Sequence, residues 1–262
     1  MTKEPPLLGS VELPAMLHDD VDTWLWPALL ELSERIPEPW VLVGGQMVFL
    51  HGLVAGRRPP RTTRDVDVIF DVRAQVQAMP QAVEVLKQLG YAMGGISPEG
   101  LGHRFIRPTD GMEVDILAPD NLGPRAEDRL LTDPPGRTIE VRGGGAALQY
   151  RHALHASYGG RTATIYIPDL PRALGGKIHA LFNEHPGSKL SEHLQSRHLS
   201  DIAFLVSLID DPDEFLAHRG TQKPPPRHAD LAVLDDPAHH AWAPLEEFAE
   251  DAHLAWMHLR HG

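Results

Sequence analysis

Three aspartates and a pair of glycines are the residues of this chain best suited to chemistry. Asp65 and Asp67 stand two apart in Asp65-Val66-Asp67-Val68-Ile69-Phe70, and Asp115 stands between apolar neighbours in Val114-Asp115-Ile116. In an extended strand, side chains two apart share a face, so Asp65 and Asp67 project together while Val66 and Val68 point into a core. Close carboxylates repel each other unless a cation compensates, and hard oxygen ligands suit Mg²⁺ or Mn²⁺. If the strand of Asp115 is a neighbour in the same sheet, three carboxylates converge. Such a site can hold two hard cations, one activating an attacking oxygen and one stabilising a leaving pyrophosphate. Gly44-Gly45 directly follows the apolar run Trp40-Val41-Leu42-Val43. Without a Cβ the two glycines let a triphosphate approach the backbone, and the N–H groups that open the next helix favour phosphate oxygens.

These residues need elements to hold them. Residues 20–36 carry apolar side chains at helical spacing and lead through a Pro-containing turn into the strand at Trp40. Residues 46–53 read as a helix, residues 57–63 as a polar loop, and residues 64–70 as the strand of the acid pair. Residues 75–89 form an amphipathic helix closed by Gly90. Residues 104–107 and 112–117 form a hairpin around Pro108-Thr109-Asp110-Gly111, with Asp-Gly as the turn signal. Further strands are expected at 138–141 and 162–167. From 169 the pattern turns helical, at 169–184, 196–209 and 241–260, which sets a domain boundary near 168. Residues 219–238 contain Lys223-Pro224-Pro225-Pro226-Arg227, a run that forbids a continuous helix.

The composition excludes several classes. There is no cysteine, which removes disulfides, thiolate metal sites and a cysteine nucleophile. The sixteen histidines contain no HExxH or comparable grouping and read as surface residues. A formal charge of −12 argues against broad attraction to a polyanion. Arg57, Arg58, Arg61 and Arg64 nevertheless cluster just before the acid pair, and Arg64 is a secondary candidate for a triphosphate contact. No stretch approaches the roughly 18 apolar residues that a membrane span needs, and the N-terminus lacks a signal-peptide core. The expectation is a cytoplasmic protein without a membrane partner.

The order of these motifs resembles the DNA polymerase beta-like nucleotidyltransferase superfamily, whose pattern is an apolar residue, Gly, Gly or Ser, and later Asp-x-Asp. Here that is Val43-Gly44-Gly45 and Asp65-Val66-Asp67, with Asp115 matching the third carboxylate. Residues 46–64 make a longer interval than is usual there, and Gly45 offers no hydroxyl to a phosphate. The C-terminal half, with Pro171-Arg172-Ala173-Leu174-Gly175-Gly176-Lys177-Ile178-His179-Ala180-Leu181 and Arg197-His198-Leu199-Ser200-Asp201-Ile202, resembles the AbiEii and MenT toxin-type nucleotidyltransferases. That resemblance implies active-site roles for a helix lysine and a later helix aspartate, which match Lys177 and Asp201. Physically, Lys177 lies at the edge of the stripe Leu174, Ile178 and Leu181. There an ammonium can snorkel out and neutralise phosphate oxygens. Equally, the two residues can form an interhelical ion pair.

The resulting expectation is an α+β chain. A nucleotidyltransferase-type mixed β-sheet with flanking helices spans residues 1–168, and a helical C-terminal region spans 169–262. Asp65, Asp67 and Asp115 would bind Mg²⁺ or Mn²⁺. Gly44, Gly45, Arg64 and Lys177 would contact a nucleoside triphosphate, and Lys177 and Asp201 would complete the catalytic set. The resemblance further implies transfer of a nucleoside monophosphate, with the tRNA 3′ end as acceptor and a cognate antitoxin as partner. The alternatives are a small-molecule nucleotidyltransferase of the aminoglycoside-modifying kind, a protein nucleotidyltransferase, or a non-catalytic nucleotide- or partner-binding module.

Overall fold

The structure, a computed structural model, describes residues 4–14, 22–59, 63, 65–184, 196–218 and 229–261. Its strands in chain order are β1 (Leu7–Glu12), β2 (Trp40–Val43), β3 (Asp65–Phe70), β4 (Ala92–Met93), β5 (Arg104–Arg107), β6 (Met112–Pro119), β7 (Glu140–Val141), β8 (Arg151–Tyr158) and β9 (Arg161–Pro168). The α-helices are α1 (Asp22–Arg35), α2 (Gly44–Val54), α3 (Ala78–Gln88), α4 (Gly144–Gln149), α5 (Leu170–Glu184), α6 (Arg197–Ser207), α7 (Pro212–His218) and α8 (Ala249–His261). None of the described helices is long and apolar enough to cross a membrane. The chain divides into two compact units, Met1–Met47 with Thr63–Asp169, and Val48–Thr62 with Leu170–Gly262. Residues 48–62 thus group with the C-terminal helices, whereas a continuous cut near 168 keeps them with the sheet.

The first unit is built on a six-stranded mixed sheet of order β2-β3-β6-β5-β4, with β7 added to the far end of β6. Alternation along β3 and β6 gives the sheet its two faces. Val66, Val68 and Phe70 of β3 and Val114 and Ile116 of β6 are buried on one face, where Leu32 and Ile36 at the end of α1 and Ala82 and Leu86 of α3 enclose them. The opposite face is apolar only where Val41, Ile69 and Leu117 meet Ala147 and Leu148 of α4. A separate three-stranded sheet, β1-β8-β9, joins segments far apart in sequence, with β1 parallel to β8. Tyr166 of β9 meets Trp40 of β2 edge-on at 5.3 Å.

The second unit is a helical cluster. Leu174, Ile178 and Leu181 of α5 are buried, as are Leu199, Ile202, Ala203, Phe204, Leu205 and Val206 of α6. Phe204 reaches so close to α2 that a Cβ on Gly52 would meet its ring at 2.8 Å. The last helix is tied down by Trp256 Nε1 and Arg260, both donating to the Asp235 carboxylate.

Three sequence expectations change. The single helix at 241–260 is broken, because Glu246 takes φ 51 within a 3-10 stretch, Ala243–Phe248, before α8 begins. The strand at 138–141 shortens to Glu140–Val141. Five strands and α-helices were not anticipated: β1, β4, β8, α4 and α7. Arg61 and Arg64, and part of the Pro-rich segment, lie outside the described residues.

Candidate functional site

Strand register brings the acids together. In the antiparallel β2/β3 pair Val43 stands opposite Asp67, and in the parallel β3/β6 pair Asp67 stands opposite Asp115 and Asp65 opposite Glu113. Residues level across neighbouring strands share a face. Asp65, Asp67, Glu113 and Asp115 therefore occupy one end of the face whose other end is sealed by α4. The switch from acid to apolar follows each strand: Asp65, Asp67, Ile69 along β3, and Glu113, Asp115, Leu117 along β6.

The double glycine has a steric explanation that sequence reasoning did not reach. Gly44 opens α2 with no residue between it and the end of β2. Its φ is +71°, a conformation side chains rarely adopt, and a Cβ there would lie 1.8 Å from Asp67 Oδ2 and 2.7 Å from Asp67 Cγ. The carboxylate of Asp67 fills the space that any other residue at 44 would need. At Gly45 a Cβ would lie 2.4 Å from Thr63 Cγ2. Gln46, buried in the same turn, donates from Nε2 to the Thr63 carbonyl at 2.6 Å. The turn thus packs on Thr63, two residues before Asp65.

Arg104 dominates the electrostatics of this face. It stands opposite Asp115 in the β5/β6 hairpin. Its Nε donates to Asp115 Oδ1 at 2.9 Å and its Nη2 to Oδ2 at 2.8 Å, a side-on bidentate pair. Its Nη1 also reaches Glu113 Oε2 at 2.9 Å. The hydrogen bonds to Asp115 push the guanidinium further above its ordinary value. Burial opposes this, and the charges of Asp115, Glu113 and Asp65 add to it.

In the helical unit, Lys177 of α5 and Asp201 of α6 form an ion pair, Nζ to Oδ2 at 2.7 Å, with side chains only 5% and 3% exposed. The lysine does not snorkel out from its stripe; α5 packs on α6 and closes over it. Such a pair persists in a dry interior because each charge answers the other, and removing one partner strands the remaining charge.

Hard carboxylate oxygens on Asp65 and Asp67, with Asp67 seated where a Cβ would fall, fit a hard divalent cation in chemical type. Among the described residues, however, no group of three or more His, Asp or Glu side chains is arranged to hold a metal ion. Asp115 is level with Asp67 along the backbone, but both of its oxygens are engaged by Arg104. The third carboxylate reaches the face without joining the other two in a common cluster.

A family model described as "Nucleotidyl transferase AbiEii toxin, Type IV TA system" matches residues 32–256. The chain belongs to the AbiEii family. It is a nucleotidyltransferase, with the mixed sheet and flanking helices expected of one, and the AbiEii match runs from within α1 into α8. Among solved structures, the solution structure of the antibiotic-resistance factor ANT(2'')-Ia aligns with a TM-score of 0.42. Its identity is 11%, over 77% of this chain and 91% of that one. Curated proteins give no match.

Two residues of the AbiEii carboxylate face escaped the sequence reading, Glu113 and Arg104. A signal for both was present. Counting back from the Asp-Gly turn pairs Arg107 with Met112, which sets Ile106 opposite Glu113 and Arg104 opposite Asp115. Alternation then places Glu113 on the same face as Asp115.

Proposed function

We propose that this AbiEii nucleotidyltransferase moves a nucleoside monophosphate from a nucleoside triphosphate to an acceptor hydroxyl, releasing pyrophosphate, at the carboxylate face of the sheet. The observation that carries the reading is the packing of Gly44 on Asp67. A strand-to-helix turn, half-buried at Gly44 and Gly45, lies directly against a carboxylate that is level with a second one across the sheet.

Asp65 and Asp67 would hold a divalent cation, Mg²⁺ or Mn²⁺, with Asp115 as the third acid. When bound, that cation supplies positive charge to the triphosphate and lowers the pKa of the attacking oxygen. The chain's own residues do the rest. The first N–H groups of α2, at Gly44 and Gly45, are proposed as the backbone contacts for phosphate oxygens. Lys177 is proposed as the ammonium that answers charge on the leaving pyrophosphate, and Asp201, its partner at 2.7 Å, as the group that orients it. Arg64 is proposed as a further phosphate contact.

The family's toxin description supports a cognate antitoxin, and the 3′ end of tRNA is proposed as the acceptor. A net charge of −12 disfavours a long phosphate footprint, so such an acceptor would be held by its end. The test is incubation of the chain with labelled nucleoside triphosphates, Mg²⁺ and either tRNA, total protein or small hydroxyl acceptors. Label in tRNA supports the reading in full, and label in another pool redirects the acceptor. Asp67→Asn should abolish transfer and leave the fold intact, and unchanged transfer in that variant would refute the assignment of the face.

A further inference from the structure

Arg104, like its contact Glu113, is a charge on the carboxylate face that nucleotidyl transfer, as proposed above, leaves without a role. It projects from β5, the strand on the far side of β6 from β3. It makes three charged contacts to two acids, both oxygens of Asp115 and one of Glu113. Asp115 is nearly buried, with 8% of its side chain exposed, while Arg104 keeps 45%. The grip is therefore on the buried partner, and the guanidinium remains open to solvent.

We infer that Arg104 is a positioning residue of this site, an internal cation that holds Asp115 and sets how tightly the face takes a divalent cation. The inference rests on the reading that Asp65 and Asp67 bind that cation. Four carboxylates on one sheet face repel one another, and a guanidinium placed among them stabilises the face while it holds no metal. The same positive charge opposes an incoming cation, and the bidentate contact occupies both oxygens that Asp115 would offer. With Arg104 in place the face takes its cation weakly, and Asp115 joins only on release. Removing the guanidinium deletes a repulsive charge and frees a ligand, so affinity rises.

The experiment is a calorimetric titration of Mn²⁺ into the full chain without nucleotide, alongside thermal melts with and without Mn²⁺. Asp67→Asn should lose Mn²⁺ binding. Arg104→Gln should bind Mn²⁺ about tenfold more tightly than the unmodified chain, melt lower without metal, and regain stability when Mn²⁺ is added. In an Asp115→Asn background the gain from Arg104→Gln should shrink, because the freed ligand is no longer there. Arg104→Lys, which keeps the charge and loses the two-point grip, provides a better-tolerated variant and should tighten binding by less than Arg104→Gln. Equal or weaker Mn²⁺ affinity in both Arg104 variants, with binding still abolished by Asp67→Asn, overturns the role of Arg104 alone. Binding that survives Asp67→Asn overturns the reading of the face and the inference with it.

Discussion

Substituting Gly44 by alanine tests how closely the turn and the carboxylate are coupled. Two costs arise from the geometry. At φ +71° an L side chain is strained by about 1–2 kcal/mol. The new Cβ would also sit 1.8 Å from Asp67 Oδ2, so the carboxylate must leave its rotamer, at roughly 0.5–1.5 kcal/mol. Alanine recovers about 0.4–1 kcal/mol by restricting the unfolded chain. The net expectation is a loss of about 1–3 kcal/mol. The functional effect should be larger, since a displacement near 1 Å at a reacting group costs on the order of 100-fold in rate. The assay pairs urea denaturation with nucleoside triphosphate turnover for Gly44→Ala, Asp67→Ala and the double variant. Removing the Asp67 carboxylate removes the 1.8 Å contact, so the stability penalty of Gly44→Ala should fall toward the backbone strain alone. A penalty of the same size in both backgrounds, or full turnover in Gly44→Ala, would refute the coupling. Gly45→Ala serves as comparison, because its Cβ meets the Thr63 side chain at 2.4 Å rather than an acid of the face.

Other expectations follow from the same structure. Lys177→Met removes the ammonium paired with the buried Asp201 carboxylate and should destabilise the chain by about 3–5 kcal/mol; Lys177→Met with Asp201→Leu should recover much of that in a melting experiment, while turnover stays lost. Leu148→Ala, at a position 1% exposed beneath Val41, Ile69 and Leu117, should cost about 2–5 kcal/mol by denaturation. Tyr91 is pushed up to about 12 by burial, against the opposing charge of Arg107, and Tyr166 to about 12 by burial and its hydrogen bond to Glu38. For both, the folded state keeps the proton that the unfolded state releases near pH 10, so their contribution is complete below pH 10 and lost as pH rises toward 12. Absorbance titration should show late phenolate formation, and Tyr91→Phe should flatten the fall in stability over that window.

The sequence by itself determined the parts governed by local periodicity. Alternation in residues 65–70 and 112–117 set which acids leave the core, the Asp-Gly turn closed the β5/β6 hairpin, and the stripe Leu174, Ile178, Leu181 set the buried side of α5. Strand, double glycine and helix were legible in order, because each is defined within a few residues. Helix breaks were less so: Glu246 at φ 51 carries no composition signal that distinguishes it from its helical neighbours.

Only the tertiary structure decided what those elements meet. β1 exists because residues 7–12 pair with a strand beginning at Arg151, and β8 alternates small apolar residues with Arg and His too weakly to announce itself. The need for glycine at 44 comes from the carboxylate of Asp67, which β3 delivers from beyond the intervening loop. The burial of Lys177 comes from α6 closing on α5. The partner of Asp115 came from register, since a hairpin turn fixes which side chains face each other across it. Sequence alternation put Asp65 and Asp67 on one face of their strand, and the β3/β6 register sets Asp115 level with Asp67. A guanidinium across the hairpin, rather than the neighbouring carboxylates, holds the third of them, because two charges of opposite sign at 2.8 Å stabilise a face that like charges alone would strain.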